Sequence, residues 1–443
     1  MTDAATSPKG LTLWGAIFLG VGAMVGAGIF ALLGEAGAVA GSAVWISFLI
    51  AGIVALFQGY SFAKLGAKFP SRGGTIHFLT LGFGNGHLTG IASWMIFSSL
   101  LIASAMVAVT FGNYGAGLFM GDDAPAWFAR LLSIVAVVAT TLINLFGAEF
   151  VNKSQTYIVL ILLAVLGGFA VVLLTDIDPD LLARSTYPSS QDILASVALT
   201  FFAFLGFAVV AFTGGDLPNP AKNMPRAMYV SIGIAILTYV AIALGVFGTL
   251  PLEEVLANGD TALAAAAEPK LGDAGYSIMA LAALLATASS LNANLYAGDG
   301  TTSLLARIGQ FPPIFGRKLE RGWSLGLLIT SAAVLVLANV FDLTAIASLG
   351  SAVALAVFLL VTLAHFKLRQ ETGAKAWLLS VAALTTSVTL IAFAVKTLQD
   401  EPQTFVAMVA VFALAIVIDL VWKRMRGDSP SLPAAEVAPS EGT

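Results

Sequence analysis

Residues 20–30 read GVGAMVGAGIF, and the fold turns on that stretch. Four glycines, Gly20, Gly22, Gly26 and Gly28, fall within nine otherwise apolar residues. Each costs a helix interior roughly 1 kcal/mol relative to alanine in water. A dinucleotide fingerprint is excluded, because no strand precedes the glycines and their flanks are wholly apolar. Two explanations remain. Small residues four apart, as in Gly22 and Gly26, let helices pack closely in lipid. Alternatively, the helix is interrupted and its half-helix ends present backbone groups to an ion or a charged solute. In lipid, groups freed in this way are tolerable only where protein or a water-lined cavity satisfies them.

The rest of the chain identifies lipid as the solvent. Of 443 residues, 58% are hydrophobic and 10% charged, against about 25% charged in an ordinary soluble domain. Long uncharged stretches recur from Leu11 to Trp422 with no polar linker between them. A bilayer core about 30 Å thick takes roughly 20 apolar residues per helix. Twelve spans are therefore expected, at residues 11–33, 42–63, 89–120, 127–147, 154–174, 193–213, 227–250, 276–306, 323–341, 343–364, 376–395 and 404–421. The third and eighth exceed what a membrane requires, so they are expected to tilt or to project beyond it. The fold class is an all-α polytopic membrane protein. The absence of cysteine excludes disulfides, thiolate metal sites and cysteine nucleophiles. A net charge of −4 without a basic patch gives no sign of a nucleic-acid partner.

Lysine and arginine placement orients the chain. An even number of spans puts both termini on one side. Seventeen of the 21 basic residues fall there, among them Lys64, Lys68, Arg72, Lys153, Arg226, Arg321, Lys367 and Lys423. Arg130, Arg184, Lys270 and Lys396 fall on the other side, with the acidic clusters Asp176, Asp178, Asp180 and Glu253, Glu254. Both termini are expected to be cytoplasmic in a plasma (inner) membrane. Residues 1–10 read as a polar cytoplasmic segment without a signal-peptide pattern. Residues 427–443, rich in Pro, Ala, Ser and Glu, read as a disordered cytoplasmic tail. The alanine-rich residues 262–267 are expected to form a short outer helix.

A second candidate break lies in the sixth span, FFAFLGF at residues 201–207, followed by Gly214, Gly215 and Asp216. Gly206 alone is weak evidence. Breaks in the first and sixth helices, however, are what two inverted five-helix repeats meeting at a midplane site would produce. The expected division is residues 11–175 (helices 1–5), residues 193–368 (helices 6–10) and two further helices at 376–426.

The sequence resembles the amino acid–polyamine–organocation transporters of the leucine-transporter fold. Four stretches carry the likeness: residues 22–30; AKLGAKFPSRGG at 63–74; FFAFLGF at 201–207 leading to NPAKNMPRAM at 219–228; and ASSLNANLY at 288–296 continuing to FPPIF at 311–315. In order and together they span nearly the whole chain. The resemblance implies a substrate held between the unwound parts of the first and sixth helices, at Ala23, Met24, Gly26, Ala27, Gly28, Ala203, Phe204, Gly206 and Phe207. An α-carboxylate would meet the N–H groups of Ala27 and Gly28 at the positive end of a half-helix. The α-amine would meet carbonyls near Ala23, Met24, Ala203 and Phe204. Phe204 and Phe207 would be aromatic gates or pocket walls, with ordinary core packing as the competing role.

For the coupling ion, Ala286, Ser289 and Ser290 fall at i, i+3 and i+4 on one helical face. Related sodium-coupled carriers use a carbonyl and two hydroxyls so spaced, opposite carbonyls that match Gly22 and Val25 here. These five residues form a candidate sodium site. The competing reading is that both hydroxyls bond back to their own helix. Some proton-coupled relatives place a lysine of the fifth helix in this cavity. The fifth span here has no ionisable side chain but Tyr157, Leu162 or a neighbour stands at that position, and Lys153 lies too near the end of the span. This departure favours sodium or uncoupled exchange. Asp299 reads as an inner-gate ion pair, a proton relay or a solvated helix-end carboxylate. Asp419 reads as an i,i+4 pair with Lys423, and His77, His87 and His365 are given no site.

Family members often carry an acid after the Gly-Phe of the sixth helix, whereas Ala208 follows Phe207 here. A neutral, apolar or small amino acid is therefore the expected substrate. An apolar pocket separates one methylene by only about 1–3 kcal/mol, so breadth is expected. The reading is an amino acid permease, a symporter without a cofactor beyond a coupling ion. Its rivals are a carrier of potassium, an organic amine or a polyamine, a proton-coupled or exchange mechanism, and a non-transporting amino acid sensor. An enzyme is not expected, because no His–carboxylate pair or metal cluster lies within the spans.

Overall fold

The computed structural model describes residues 11–426, apart from 27, 72, 122–123, 147–148 and 320–322. The expected terminal segments, 1–10 and 427–443, and the residues Ala27, Arg72 and Arg321 lie outside the described residues.

The described chain is helical throughout, with one isolated bridge between Lys318 and Ser324. The first expected span is two helices, α1 (Leu13–Val25) and α2 (Gly28–Ala40); α3 (Val44–Lys68) returns, and a short α4 (Gly74–Phe83) follows. Three long helices come next, α5 (His87–Met120), α6 (Ala126–Phe146) and α7 (Glu149–Leu174). The sixth span is again broken, into α8 (Ser190–Phe202) and α9 (Phe207–Ala211). After α10 (Pro220–Thr249) come the short α11 (Leu252–Ala257) and α12 (Ala262–Ala265). The last five are α13 (Glu268–Arg307), α14 (Leu325–Val340), α15 (Leu343–Thr372), α16 (Ala376–Asp400) and α17 (Pro402–Arg426).

Among the described residues, nine helical runs are long and apolar enough to cross a bilayer. One of them, Leu13–Lys68, reverses at Gly41, which adopts φ +54°, and so makes two crossings. The pair α8/α9 and the 16-residue α14 supply the remaining two of the twelve expected. The surface agrees with that count. Ile161, Val171, Leu384, Val406 and Leu414 point outward from α7, α16 and α17 and are each more than half exposed, a belt that only lipid would cover at low cost.

The long third and eighth spans appear as α5, with 34 residues, and α13, with 40. The latter kinks at Gly272, where φ is +61°. Four boundaries differ from expectation by seven or eight residues: α10 starts at Pro220, α13 starts at Glu268, α15 runs to Thr372, and the first span runs on as well. The first span does not end near residue 33 but runs to Ala40, because only Glu35 interrupts the apolar sequence there. An additional helix, α4, fills the connection after α3; Gly74 starts it at φ +49°, against the ring of Phe212.

The helices pack in two groups. In one, α1, α3, α8, α9 and α10 pack on one another, with α2 against α8 and α3. In the other, α5, α6, α13 and α14 pack together. Between them, α7 touches α1, α10 and α13, and α15 touches α3, α5 and α8. Leu13, His87 and Arg426 mark one face of the bundle, and Ala40, Met120 and Asp400 the other.

Candidate functional site

Both breaks lie in the middle of the bundle, and they touch. In the first, α1 ends at Val25 and α2 starts at Gly28. Gly20 stays helical and serves packing: a Cβ there would meet Val210 and Ser231 of α9 and α10. The two roles weighed for the glycine stretch thus fall to different glycines. In the second break, residues 203–206 tighten into i→i+3 bonding, and the Phe207 N–H donates to the Phe204 carbonyl at 3.0 Å. An α-helix would have given that donor to Ala203 O. The freed Ala203 carbonyl instead accepts the hydroxyl of Tyr239 from α10, at 3.1 Å.

Two glycines make the crossing possible. A Cβ on Gly206 would overlap the Ala23–Met24 peptide of α1. A Cβ on Gly28 would lie 2.6 Å from the Tyr239 hydroxyl, 2.7 Å from Ala203 Cβ and 2.8 Å from Ala203 O. Five expected substrate residues, Ala23, Met24, Gly28, Ala203 and Gly206, therefore meet at one junction. The first N–H groups of α2, which have no intrahelical acceptor, start at this junction. Ala27, the other expected carboxylate donor, lies outside the described residues.

The two aromatic candidates point different ways. Phe204 is buried against Tyr239, 5.0 Å between ring centroids, and Tyr239 packs in turn on Phe48. Phe207 is buried between Phe62 and Phe358, at 5.4 and 5.1 Å, and Phe62 extends the cluster to Phe78 of α4. This aromatic plug lies between the junction and the Leu13/Arg426 face.

On the opposite face, a cavity of about 520 Å³ opens between α2, α8, α15 and α16. Asp192, Ala195 and Leu199 line it along one side of α8. Seven residues of helix carry it roughly 10 Å inward, to Leu199, one turn short of Ala203. The cavity thus approaches the junction from the Ala40/Met120 face.

A second cluster surrounds Gly26. A Cβ there would lie 2.8 Å from the Gly22 carbonyl and 3.0 Å from the Ala286 carbonyl, and would overlap Ser290 Oγ. Oxygens from α1 and α13 thus converge beside one glycine. Ser290 is 4% exposed and its hydroxyl has no hydrogen-bond partner among the described residues. It does not bond back to its helix, as the nearby Thr287 does to Ala283 O at 2.6 Å. Val25 of α1 and Ser289 of α13 are also buried, and the two helices are in contact. On α7, which packs against both helices, Leu162 is buried and apolar.

Tyr239 escaped the sequence reading. A tyrosine amid the apolar residues of the seventh span was the available signal, since a buried phenol needs an acceptor. Asp299 accepts the hydroxyl of Ser324, whose oxygen also accepts the Leu327 N–H at 3.3 Å and caps α14. It ties α13 to α14. Asp419 does pair with Lys423, at 3.2 Å, and also holds His87 Nδ1 at 2.7 Å, joining α17 to α5. Burial pushes the His77 imidazole in α4 below its usual range, so it is uncharged at neutral pH.

Comparison with known proteins agrees with this architecture. The sequence matches the family described as amino acid permease over residues 11–424. An uncharacterized protein of Methanocaldococcus jannaschii is 35% identical over 370 residues, 83% of this chain and 84% of its own. The inner membrane transport protein YbaT of Escherichia coli is 32% identical over 424 residues, 96% of this chain and 98% of its own. The branched-chain amino acid permease BcaP of Lactococcus lactis is 26% identical over 381 residues, 80% of this chain and 81% of its own. The chain belongs to the amino acid permease family: it is a multi-pass membrane transporter of amino acids or related solutes, not an enzyme.

Proposed function

We propose that the protein is a sodium-coupled symporter of neutral amino acids that works by alternating access, with both termini cytoplasmic in the plasma (inner) membrane. The convergence of the Gly22, Ala286 and Ser290 oxygens beside Gly26 carries the ion assignment. Hard cations take such oxygen ligands, and backbone carbonyls supply them without a carboxylate. The unpartnered Ser290 hydroxyl fits a ligand role better than a packing role. Leu162 on the neighbouring α7 offers no ammonium in place of the ion.

Zwitterion binding is supported by the junction of the two breaks. The α2 N-terminus offers N–H donors to a carboxylate, and the carbonyl side of the second break offers acceptors to an ammonium. Ala208, rather than an acid, follows Phe207 at this depth and is buried, which favours an uncharged substrate side chain. The name of BcaP, a branched-chain permease, points the same way. The excess of basic residues on the Leu13/Arg426 face supports the orientation, and the inner-membrane relative supports the compartment.

Proteoliposome uptake of radiolabelled neutral amino acids, with and without an inward sodium gradient, tests this reading. Sodium-driven accumulation is expected. Equal uptake driven by a pH gradient in sodium-free buffer would replace sodium with the proton, and binding without flux would indicate a sensor. Ser290→Ala removes one oxygen from the cluster. Half-saturating sodium is expected to rise at least about tenfold, as metal sites commonly lose when their ligand shell is disturbed; unchanged sodium activation would contradict the site.

A further inference from the structure

Lys396 lies near the end of α16, on the wall of the open cavity. Its ammonium reaches Asp192 Oδ1 at 2.6 Å, in the first turn of α8, and Asp400 Oδ2 at 2.7 Å, one turn further along α16. Asp192 is held in place: the Ser189 hydroxyl donates to its Oδ2 at 2.7 Å, and the same hydroxyl oxygen accepts the Asp192 amide at 3.2 Å. The two partners differ in kind. Asp400 shares a helix with Lys396, so that pair survives any rigid movement of α16. Asp192 belongs to α8, a half-helix whose inner end is the turn at residues 203–206. A change in the width of the cavity between α8 and α16 changes the Lys396–Asp192 distance and leaves Lys396–Asp400 alone.

We propose that Lys396 and Asp192 are positioning residues that fasten the half-helix α8 to α16 while the cavity is open, a latch that releases onto Asp400 when α8 moves. The proposal rests on the alternating-access reading. The side chains of Lys396 and Asp192 are 27% and 22% exposed, so the pair is only partly desolvated. Because Lys396 keeps one carboxylate throughout, release strands no charge, and the latch is weak enough to cycle. Partly exposed pairs shift equilibria by about two- to fivefold, which is the scale expected here.

The chain has no cysteine, so Thr344→Cys on the cavity wall provides one thiol. Its labelling by a membrane-impermeant maleimide, in proteoliposomes, reads the open population. In this parent, saturating substrate with sodium is expected to change the labelling rate. If it does not, alternating access fails for this chain and the latch fails with it. If it does, Asp192→Asn and Lys396→Gln are each expected to slow labelling about two- to fivefold, and to raise the uptake KM by a similar factor with little change in maximal rate. Lys396→Arg should keep the parent behaviour, and Asp400→Asn should label at least as fast as the parent. Parent-like or faster labelling by both Asp192→Asn and Lys396→Gln, in a parent that responds to substrate, would overturn the latch and leave alternating access standing.

Discussion

Gly206→Ala is expected to cut substrate uptake by about five- to 150-fold, while Gly167→Ala leaves it unchanged. The contrast isolates close approach from glycine content. A Cβ on Gly206 would overlap the backbone of Ala23 and Met24, whereas nothing lies within 4 Å of one on Gly167. A side-chain neighbour could rotate away, but a peptide in α1 cannot move without carrying its helix. The added methyl therefore separates the two breaks or strains both. Overfilling a well-packed site costs roughly 1–3 kcal/mol, which corresponds to the stated range if it falls on the state that encloses substrate. Initial uptake rates in proteoliposomes, normalised to inserted protein, give the answer. Near-normal uptake by Gly206→Ala would mean that the crossing seen here plays no part in the transport cycle.

Much of this arrangement could be read from the sequence because its cause is local. Apolar run length and the lipid thickness decide the spans, so each of the twelve began or ended within about two residues of a helix found. The opposite ends mark the limit: α2, for one, continues through Gly34 and Gly37 to Ala40, and its far end is set by partners rather than by composition. Gly34 faces the backbone of Gly259 and Gly37 the ring of Phe247. The same limit applies to the break. Glycine density marked residues 20–30, but which glycines pack and which interrupt depends on the neighbour each one meets. Gly20 meets Val210, and Gly26 meets Ser290. Tyr239 and the Asp419–His87 pair were hidden for the same reason. Their partners are 36 and 332 residues away in sequence, and no periodicity encodes such a pairing. That Ala286 and Ser290 would share a face was legible because their spacing is helical and local; that the Ser290 hydroxyl would have no hydrogen-bond partner among the described residues was not.

Gly28→Leu is expected to abolish substrate binding, raising the Kd by more than about 100-fold, without preventing membrane insertion. The Cβ alone would meet the Tyr239 hydroxyl, Ala203 Cβ and Ala203 O within 2.8 Å. Breaking the Tyr239–Ala203 hydrogen bond leaves a buried carbonyl unpaired, at about 1–3 kcal/mol. The remaining leucine carbons then occupy the space in front of the α2 N-terminus, where a carboxylate would take charge-assisted hydrogen bonds. Such bonds are each worth about 1.5–3 kcal/mol, and the loss of two of them exceeds the roughly 2.7 kcal/mol that a 100-fold change represents. Equilibrium binding of a radiolabelled neutral amino acid measures the loss. A second ligand separates a blocked carboxylate site from general damage. Against the parent, the corresponding amine, which has the ammonium but no carboxylate, should bind far more weakly than the amino acid. Against Gly28→Leu the two should bind equally poorly, because the group that distinguished them has lost its donors. If the variant still prefers the amino acid, the carboxylate is bound elsewhere, and the α2 N-terminus is a structural end and not a binding site.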